Sequence, residues 1–306
     1  MRVLVTPRSF GKNDTAPFEI LEKSGIEIVR NPVNGIMKVQ ELISAAAGCD
    51  GIIIGVDPLT REVLETVPAL RAVAKYGVGV DNIDLDYCKE HQIKVSRTVG
   101  ANSAAVADYA FSLMLALARR VVEIDIGCRN GNWNKITTTD VSGKVLGLVG
   151  LGAIGREMVK RAKGFSMKVI AFDVMWDEEY AAKEEIERVS LDEICQRADF
   201  ISLHIPLFPE TKGIIGEKQL AAMKSDAYII NTARGGLIDD DALLYALKNG
   251  EIAGAGLDAF SEEPPENQEW YKMTNVLIGS HCAASTVGAS NAMSMMAAEN
   301  IIRDLG

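Results

Sequence analysis

Short apolar runs alternate with amphipathic segments through the first hundred residues. The runs are apolar throughout, which indicates strands of a parallel sheet that is covered on both faces. Between them, apolar positions three and four residues apart predict helices. The predicted strands are residues 3–5, 26–29, 52–54, 72–74 and 93–95, and the predicted helices are residues 16–23, 39–47 and 60–67.

A long helical segment follows, from residue 102 to about residue 129. Asn102 and Ser103 are suitable caps at its beginning, and it is apolar on nearly all sides through Leu117. A helix of this kind must be buried on several sides. The pattern therefore predicts a helix in a domain junction, in a subunit interface, or in both.

The alternation restarts after residue 144 and predicts six more strands, at residues 145–149, 168–172, 200–203, 227–230, 255–257 and 276–278. The last segment, residues 284–305, is helical and no strand follows it. We therefore expect this helix to return and cover the first sheet. The whole pattern predicts an α/β protein with two doubly wound parallel-sheet domains.

A chain of 306 residues is too long for one ordinary core, which agrees with two domains. The formal net charge is −10 and no basic run offsets it, so we expect no nucleic-acid partner. The net charge does not exclude a small anionic substrate, because local cations decide whether an anion binds.

The five cysteines are scattered and lack CxxC spacing, which argues against disulfides and against a metal site. The apolar run at the start of the chain stops at Thr6 and Pro7, so no signal peptide is expected. The longest apolar stretch, residues 109–118, is too short to cross a bilayer. We expect a cytoplasmic protein without a membrane partner.

The strongest local motif is GLGAIG, in which Gly150, Gly152 and Gly155 stand between a predicted strand and a predicted helix. Such glycines allow a tight turn and let a pyrophosphate approach the N-terminus of the helix. Asp173 ends the next predicted strand, 23 residues after Gly150 (173 − 150), where an acid that binds the adenosine ribose is expected. The alternative is a glycine-rich turn with an incidental acid.

Polar residues follow four consecutive predicted strands of the second group. They are His204 with Ile205 and Pro206, Thr232 with Ala233 and Arg234, Asp258 with Glu263 beyond it, and His281. The carboxyl ends of parallel strands meet at one edge of a sheet, and ligands bind in the crevice there. The sequence therefore predicts a polar site at this edge.

Arg234 precedes two glycines at the end of an apolar strand, a setting that favours capture of a small anion. The alternative is a surface ion pair with Asp239 or Asp240. Taken alone, Glu263 is no better a candidate for a site residue than its neighbour Glu262. His281 taken alone fits a structural role as well as a catalytic one. Arginine, acid and histidine together indicate a catalytic group.

Seven segments resemble the D-isomer-specific 2-hydroxyacid dehydrogenase family, most closely its phosphoglycerate dehydrogenase branch. They lie in order between about residues 72 and 286, and they are KYGVGVDNID, GLVGLGAIGRE, FDV, LHIPLFPETKGII, NTARGGLIDDDAL, GAGLDAFSEEPP and HCAAST. The resemblance implies NAD as cofactor and a small anionic 2-hydroxy or 2-keto acid as substrate. It also implies a homodimer built largely on the long middle helix.

The resemblance further implies a Rossmann NAD-binding domain, residues 99–284, inserted in a flavodoxin-like substrate domain of residues 1–98 and 285–306. The implied catalytic residues are Arg234, Glu263 and His281. The implied substrate contacts are Lys75, Val78, Gly79, Arg234 and His281. The implied cofactor contacts are Val78, Gly150, Gly152, Ala153, Ile154, Gly155, Asp173, His204, Ile205, Pro206, Thr232, Ala233, Arg234, Asp258, His281, Ala283 and Ala284.

These roles suit the chemistry of the residues. The resemblance implies that Arg234 binds the carboxylate and keto oxygen of the substrate, which a planar guanidinium fork fits. His281 would give a proton to the forming alkoxide while hydride passes from the nicotinamide, and Glu263 would orient the imidazole and stabilise its charged form.

The chain departs from the family pattern at three places: Val99 replaces a hinge proline, Ala283 replaces a glycine, and residues 55–57 lack an arginine that is common in phosphoglycerate enzymes. The branch favours 3-phosphoglycerate as substrate. The alternative substrates are hydroxypyruvate, glycerate, glyoxylate, D-lactate and a sulfonated analogue. The alternative function is that of an NAD-sensing corepressor. For Lys75 the alternative to substrate contact is an exposed lysine at a strand end.

Overall fold

The structure, a computed structural model, describes residues 1–33 and 35–306. Its contacts divide the chain into two compact units, of which the first contains Met1–Asn102 and Ala284–Gly306 and the second contains Ser103–Ala283. Each unit has its own parallel sheet and its own core. The predicted domain bounds differ from the unit bounds by a few residues and stay a prediction.

The first unit is built on a five-stranded parallel sheet with the order β2-β1-β3-β4-β5, as in doubly wound flavodoxin-like folds. Its strands are β1 Arg2–Val5, β2 Glu27–Arg30, β3 Gly51–Ile54, β4 Ala72–Lys75 and β5 Lys94–Arg97. All five predicted strands are present, because each apolar run has a place in the core beneath the helices. These helices are α1 Ala16–Lys23, α2 Val39–Ala46, α3 Arg61–Glu65, α4 Leu85–Glu90 and α12 Val287–Leu305.

Helix α12 returns to the first sheet, as predicted. Its N-cap Thr286 accepts a hydrogen bond from the backbone N–H of Ala289. Small side chains on one face, Ala297 and Ala298, are fully buried and let the helix lie close to β3, β4 and β5. The apolar stripe of this helix therefore completes the core of the first unit.

The second unit contains a seven-stranded parallel sheet with the order β12-β11-β10-β9-β6-β7-β8. Its strands are β6 Val145–Val149, β7 Lys168–Phe172, β8 Glu187–Arg188, β9 Phe200–Leu203, β10 Tyr228–Asn231, β11 Gly254–Leu257 and β12 Val276–Ile278. Six were predicted. The two-residue β8 was missed because both its residues are charged. The chain reverses its winding direction between β6 and β9, which is the switch point where such sheets bind ligands.

Seven helices accompany this sheet: α5 Ser103–Ala118, α6 Val121–Arg129, α7 Ala153–Gly164, α8 Glu178–Lys183, α9 Leu191–Arg197, α10 Glu217–Ala221 and α11 Asp240–Lys248. Helix α5 packs against α7, β10, β11 and β12, which explains why it is apolar on nearly all sides.

The prediction of one helix through residues 102–129 is wrong. Arg120 adopts a left-handed conformation, with φ of 48°, and ends the hydrogen-bonded ladder between α5 and α6. The guanidinium of Arg120 pairs with the carboxylate of Glu123 at 2.7 Å, in the first turn of α6. The break separates a buried helix from one that has no buried residue.

Candidate active site

The carboxyl ends of the second sheet place four predicted site residues in one row. Val149 pairs with Leu203, Leu203 with Asn231, and Asn231 with Leu257. The residue that follows each of these continues the register across four neighbouring strands. These residues are Gly150, His204, Thr232 and Asp258. The row lies at the switch point, where ligands of α/β sheets bind.

The glycine loop has the shape that a dinucleotide needs. A Cβ on Gly150, whose φ is 103°, would lie 2.6 Å from the carbonyl oxygen of His204. A Cβ on Gly155 would lie 2.2 Å from the carbonyl oxygen of Gly150, so the first turn of α7 lies directly against the loop. Gly152 meets nothing within 4 Å and leaves open space at the N-terminus of α7. The loop therefore fits a pyrophosphate.

Asp173 is tied to this loop. Its carboxylate accepts hydrogen bonds from the backbone N–H groups of Leu151, at 2.6 Å, and Met175, at 2.7 Å. The side chains of Val174 and Met175 that follow are more than 80% exposed. Asp173 therefore places a negative charge beside the glycine loop, in a stretch where the next two residues add no cation.

The side chain of His204 is half-buried, its Nδ1 is fully covered, and the ring is fixed by Ser202 of β9. Its Nε2 lies 2.9 Å from the hydroxyl of Ser202, and its Nδ1 has no accessible surface and no partner among the described residues. Burial lowers the pKa of His204 to about 3, so the ring is neutral near pH 7. The ring therefore supports the edge of the sheet instead of carrying a charge there.

Asn231, which the sequence analysis did not single out, shapes the turn that carries Arg234. Its Oδ1 accepts the backbone N–H of Ala233 at 3.0 Å, and its Nδ2 donates to the carbonyl of Arg234 at 2.8 Å. One signal was present in the sequence: a polar residue ends an otherwise apolar strand. Nη1 of Arg234 donates to the carbonyl of Ala233 at 2.7 Å.

Gly235 brings the turn of Arg234 against a second loop. A Cβ at this position would lie 2.0 Å from the carbonyl carbon and oxygen of Phe260. Only glycine allows this approach of two backbones. The loop that carries Glu263 therefore lies directly beside the loop that carries Arg234. The neighbouring Asp239 serves elsewhere, because its carboxylate caps α11 through the N–H of Ala242.

His281 and Glu263 form a hydrogen-bonded pair. Both carboxylate oxygens of Glu263 lie 2.9 Å from Nδ1 of His281. The Glu263 carboxylate also accepts the backbone N–H of Phe260 at 3.2 Å. The His281 side chain is 44% exposed, so Nε2 is the nitrogen available to a reacting group. A carboxylate placed in this way can orient an imidazole, and the catalytic role of the pair stays a prediction.

Asp258 holds the turn on which His281 lies. One carboxylate oxygen accepts the backbone N–H of Cys282 at 3.0 Å, and the other accepts the N–H of Ala283 at 2.8 Å. His281 itself is left-handed, with φ of 56°, a conformation that is costly without such support. Burial, with smaller effects of the nearby Cys282 and Asp258 side chains, raises the pKa of the Tyr109 phenol, which keeps that group neutral.

The remaining predicted contacts in the second unit lie along the same edge. Ala153 and Ile154 begin α7, Ile205 and Pro206 follow His204, and Thr232 is buried with a hydroxyl that has no partner among the described residues. Ala284 belongs to the first unit.

Lys75, Val78 and Gly79 belong to the first unit, at the carboxyl end of β4. Lys75 is only 6% exposed, so the alternative of an exposed lysine is wrong. Its Nζ donates to the carbonyl of Gly55 at 2.5 Å and to Oδ1 of Asn82 at 2.7 Å. Contact of a substrate with Lys75, Val78 and Gly79 stays a prediction.

Among residues 1–33 and 35–306, no cluster of three or more histidine, cysteine or acidic side chains has the arrangement of a metal site. In the same part of the chain, no helix has both the length and the apolar character that crossing a membrane requires.

The family model for the D-isomer specific 2-hydroxyacid dehydrogenase, NAD binding domain, matches residues 111–283. The chain is 44% identical over 257 residues to the glyoxylate reductase of Thermococcus litoralis, an alignment that covers 80% of this chain and 77% of that protein. It is 40% identical over 288 residues to the D-3-phosphoglycerate dehydrogenase of Methanocaldococcus jannaschii, which covers 92% of this chain and 54% of the longer relative.

Among solved structures, the fold is similar to D-lactate dehydrogenase from Aquifex aeolicus complexed with NAD and lactic acid. The TM-score is 0.85 and the sequence identity is 29%, over 97% of this chain and 93% of that one.

Proposed function

Because the chain belongs to the D-isomer-specific 2-hydroxyacid dehydrogenase family, we propose that it interconverts a small 2-oxo acid and its D-2-hydroxy acid with NAD(H). We propose glyoxylate and hydroxypyruvate as the leading substrates, supported by the likeness to a glyoxylate reductase. One observation carries the reaction class: both oxygens of Glu263 lie 2.9 Å from Nδ1 of His281.

Residues of the second unit would hold the cofactor. Gly150, Gly152 and Gly155 leave room for a pyrophosphate at the N-terminus of α7, and Asp173 lies where it can accept hydrogen bonds from ribose hydroxyls. NAD(H) bound there supplies or accepts the hydride. The neutral His204 adds no charge to this edge of the sheet.

The protein's own groups would bind the acid and move the proton. Arg234 offers a planar fork for the carboxylate and keto oxygens of the substrate. Glu263 holds Nδ1 of His281, so that Nε2 donates the proton to the forming alkoxide and accepts it in the reverse direction. Val78 and Gly79 are the proposed substrate contacts of the first unit.

The second candidate substrate pair is 3-phosphoglycerate and phosphohydroxypyruvate. It is favoured by the 40% identity to a phosphoglycerate dehydrogenase across 92% of this chain. The two candidates differ in one feature of the substrate, a second anionic group, while the residues that carry the chemistry are the same.

We also propose a homodimer that uses the exposed apolar surface of α6. Val121, Val122 and Ile126 are each more than 40% exposed on this helix, and Trp133 beyond it is 82% exposed. A surface of this kind on a globular protein is typical of an interface. Sedimentation equilibrium of the chain and of a Val122→Lys, Ile126→Lys variant tests this: the variant is expected to be monomeric.

The central experiment is NADH oxidation by the purified protein with glyoxylate, hydroxypyruvate, phosphohydroxypyruvate, pyruvate and sulfopyruvate. The proposal expects the highest kcat/KM with glyoxylate or hydroxypyruvate. The highest value with phosphohydroxypyruvate would support the second candidate. Tight NADH binding without turnover of any of the five acids would contradict the enzyme and support a corepressor-like protein.

A further inference from the structure

A buried polar network closes the carboxyl edge of the first sheet. Asp57, only 2% exposed, accepts hydrogen bonds from the hydroxyl of Thr6 and, at 2.8 Å, from the backbone N–H of Met37. The hydroxyl oxygen of Thr6 accepts the N–H of Gly55 at 3.0 Å. These contacts fix the ends of β1 and β3 and the segment that leads into α2.

Lys75 and Asn82 connect this edge to the loop that follows β4. The Nζ of Lys75 donates to the carbonyl of Gly55 and to Oδ1 of Asn82. The Nδ2 of Asn82 donates to the carbonyl oxygens of Gly55, at 3.1 Å, and Asp57, at 2.6 Å. The lysine and the asparagine thus share one acceptor and bind each other. We call them the Lys75–Asn82 pair.

The segment held by the Lys75–Asn82 pair runs from residue 76 to residue 83. The stem of Lys75 lies beneath Gly77, since a Cβ there would be 3.7 Å from Lys75 Cε, and Gly77 has φ of 133°. At the other end, the carbonyl of Asn82 accepts the N–H of Leu59 at 2.8 Å. Val78 and Gly79 lie between these two fixed points.

We propose that Lys75 is a positioning residue, which together with Asn82 sets the backbone of Val78 and Gly79 for a substrate carboxylate, and that it does not read a second anionic group. This inference rests on the proposed function. It follows from the burial of Lys75 and from the hydrogen bonds that its ammonium donates to Gly55 and Asn82. A group that contacts a phosphate must reach it, whereas this amine points into the network.

A positioning role and a phosphate contact predict different kinetics. If Lys75 orders the loop, its loss raises KM for every substrate by the same factor, because all substrates share the carboxylate. If it binds a phosphate, its loss weakens phosphohydroxypyruvate and spares hydroxypyruvate, which lacks that group.

The experiment compares Lys75→Met with the unaltered enzyme and with Lys89→Met, an exposed lysine of α4. We expect KM for glyoxylate, hydroxypyruvate and phosphohydroxypyruvate to rise by a common factor of about ten or more in Lys75→Met, with a smaller change in kcat. Hydrogen exchange of residues 76–83 should accelerate, while residues 145–283 exchange as before. Lys89→Met should match the unaltered enzyme.

Asn82→Ala removes the other member of the Lys75–Asn82 pair and should produce the same rise in KM for all three substrates. Since the two side chains bind each other, the double variant should be little worse than either single one. If Lys75→Met does not fold, Asn82→Ala alone decides. A loss confined to phosphohydroxypyruvate, or an unchanged KM in both variants, overturns the inference. An inactive unaltered enzyme would instead contradict the proposed function.

Discussion

The carboxylate of Asp258 accepts the backbone N–H of Ala283 at 2.8 Å, and its second oxygen accepts the N–H of Cys282. The side chain is almost fully buried. Through these bonds the end of β11 sets the turn on which His281 lies in a left-handed conformation. Asp258 thereby determines where the imidazole of His281 meets Glu263.

Substitution Asp258→Asn should therefore lower both stability and turnover. An amide has one acceptor oxygen, so it can accept a hydrogen bond from only one of the two backbone N–H groups. Its NH2 group would face the other N–H, and two donors cannot form a hydrogen bond. We expect the free energy of unfolding in urea to fall by about 1.5–3 kcal/mol, the scale of a hydrogen bond to a charged group. We also expect kcat to fall at temperatures where the variant is fully folded. A folded variant with normal kcat would show that the turn holds His281 without Asp258.

Substitution His281→Asn should remove the proton donor while leaving cofactor binding intact. General acid–base catalysis contributes about 10²–10⁴ in rate, so kcat should fall by a factor in that range. NADH affinity, measured by fluorescence quenching, should stay within a factor of about two, because the glycine loop and Asp173 provide most of the proposed cofactor contacts. Turnover close to that of the unaltered enzyme would exclude the histidine from the mechanism.

Substitution Glu263→Gln should lower turnover without preventing cofactor binding. The carboxylate of Glu263 lies 2.9 Å from Nδ1 of His281 and so orients the ring that transfers the proton. An amide makes a weaker hydrogen bond than a carboxylate, so kcat should fall by a factor of about 10–100, the scale of a hydrogen bond to a charged group. The neighbouring Glu262→Gln serves as the matched control and should keep the kcat of the unaltered enzyme. An unchanged kcat in Glu263→Gln would remove Glu263 from the role of orienting carboxylate.

The sequence predicts the fold well because the strands are apolar runs in a buried parallel sheet. β3, β4, β9 and β10 are buried along their whole length, which is why their sequence stands out. β8 is charged and partly exposed, so its two residues give no such signal. The break at Arg120 also escapes a pattern analysis, because the apolar positions continue on both sides of it.

The charged side chains of the candidate site could be predicted from the sequence, whereas the residues that hold their loops in place could not. Arg234, Glu263 and His281 have side-chain chemistry that marks them in the sequence. Asn231 acts through hydrogen bonds to the backbone of its own turn, and Gly235 through the missing Cβ that lets the Phe260 backbone approach. Such contacts depend on which loops become neighbours, and that is set by tertiary structure.

The unaltered enzyme should prefer NAD(H) to NADP(H). The charge of Asp173 repels a 2′-phosphate, and the exposed Val174 and Met175 supply no cation to offset it. We expect kcat/KM to be about tenfold or more higher with NADH than with NADPH. Asp173→Asn should reduce that ratio, although it also weakens the bonds to Leu151 and Met175. Equal kcat/KM for both cofactors in the unaltered enzyme would contradict a ribose contact.

His204 should make the protein less stable as the pH falls below about 6.5. Burial lowers the pKa of the folded ring to about 3, while an unfolded histidine keeps its ordinary value. Between these two values the unfolded chain binds a proton that the folded chain does not, so lowering the pH favours unfolding. From pH 7.5 to pH 5.5 this contribution lowers the free energy of unfolding by about 1–1.5 kcal/mol.

The measurement is urea unfolding at pH 7.5 and pH 5.5 for three proteins. His204→Asn has no ring to protonate, so it should lose less stability than the unaltered protein over this interval, by the contribution given above. The exposed His91, replaced in His91→Asn, is the matched control for the loss of a histidine side chain. Apart from the histidine replaced in each variant, the titrating groups are common to the three proteins, so their effects cancel in the comparison. Identical losses in the unaltered protein and in His204→Asn would mean that the ring is protonated in the folded state, and that its burial does not hold it neutral.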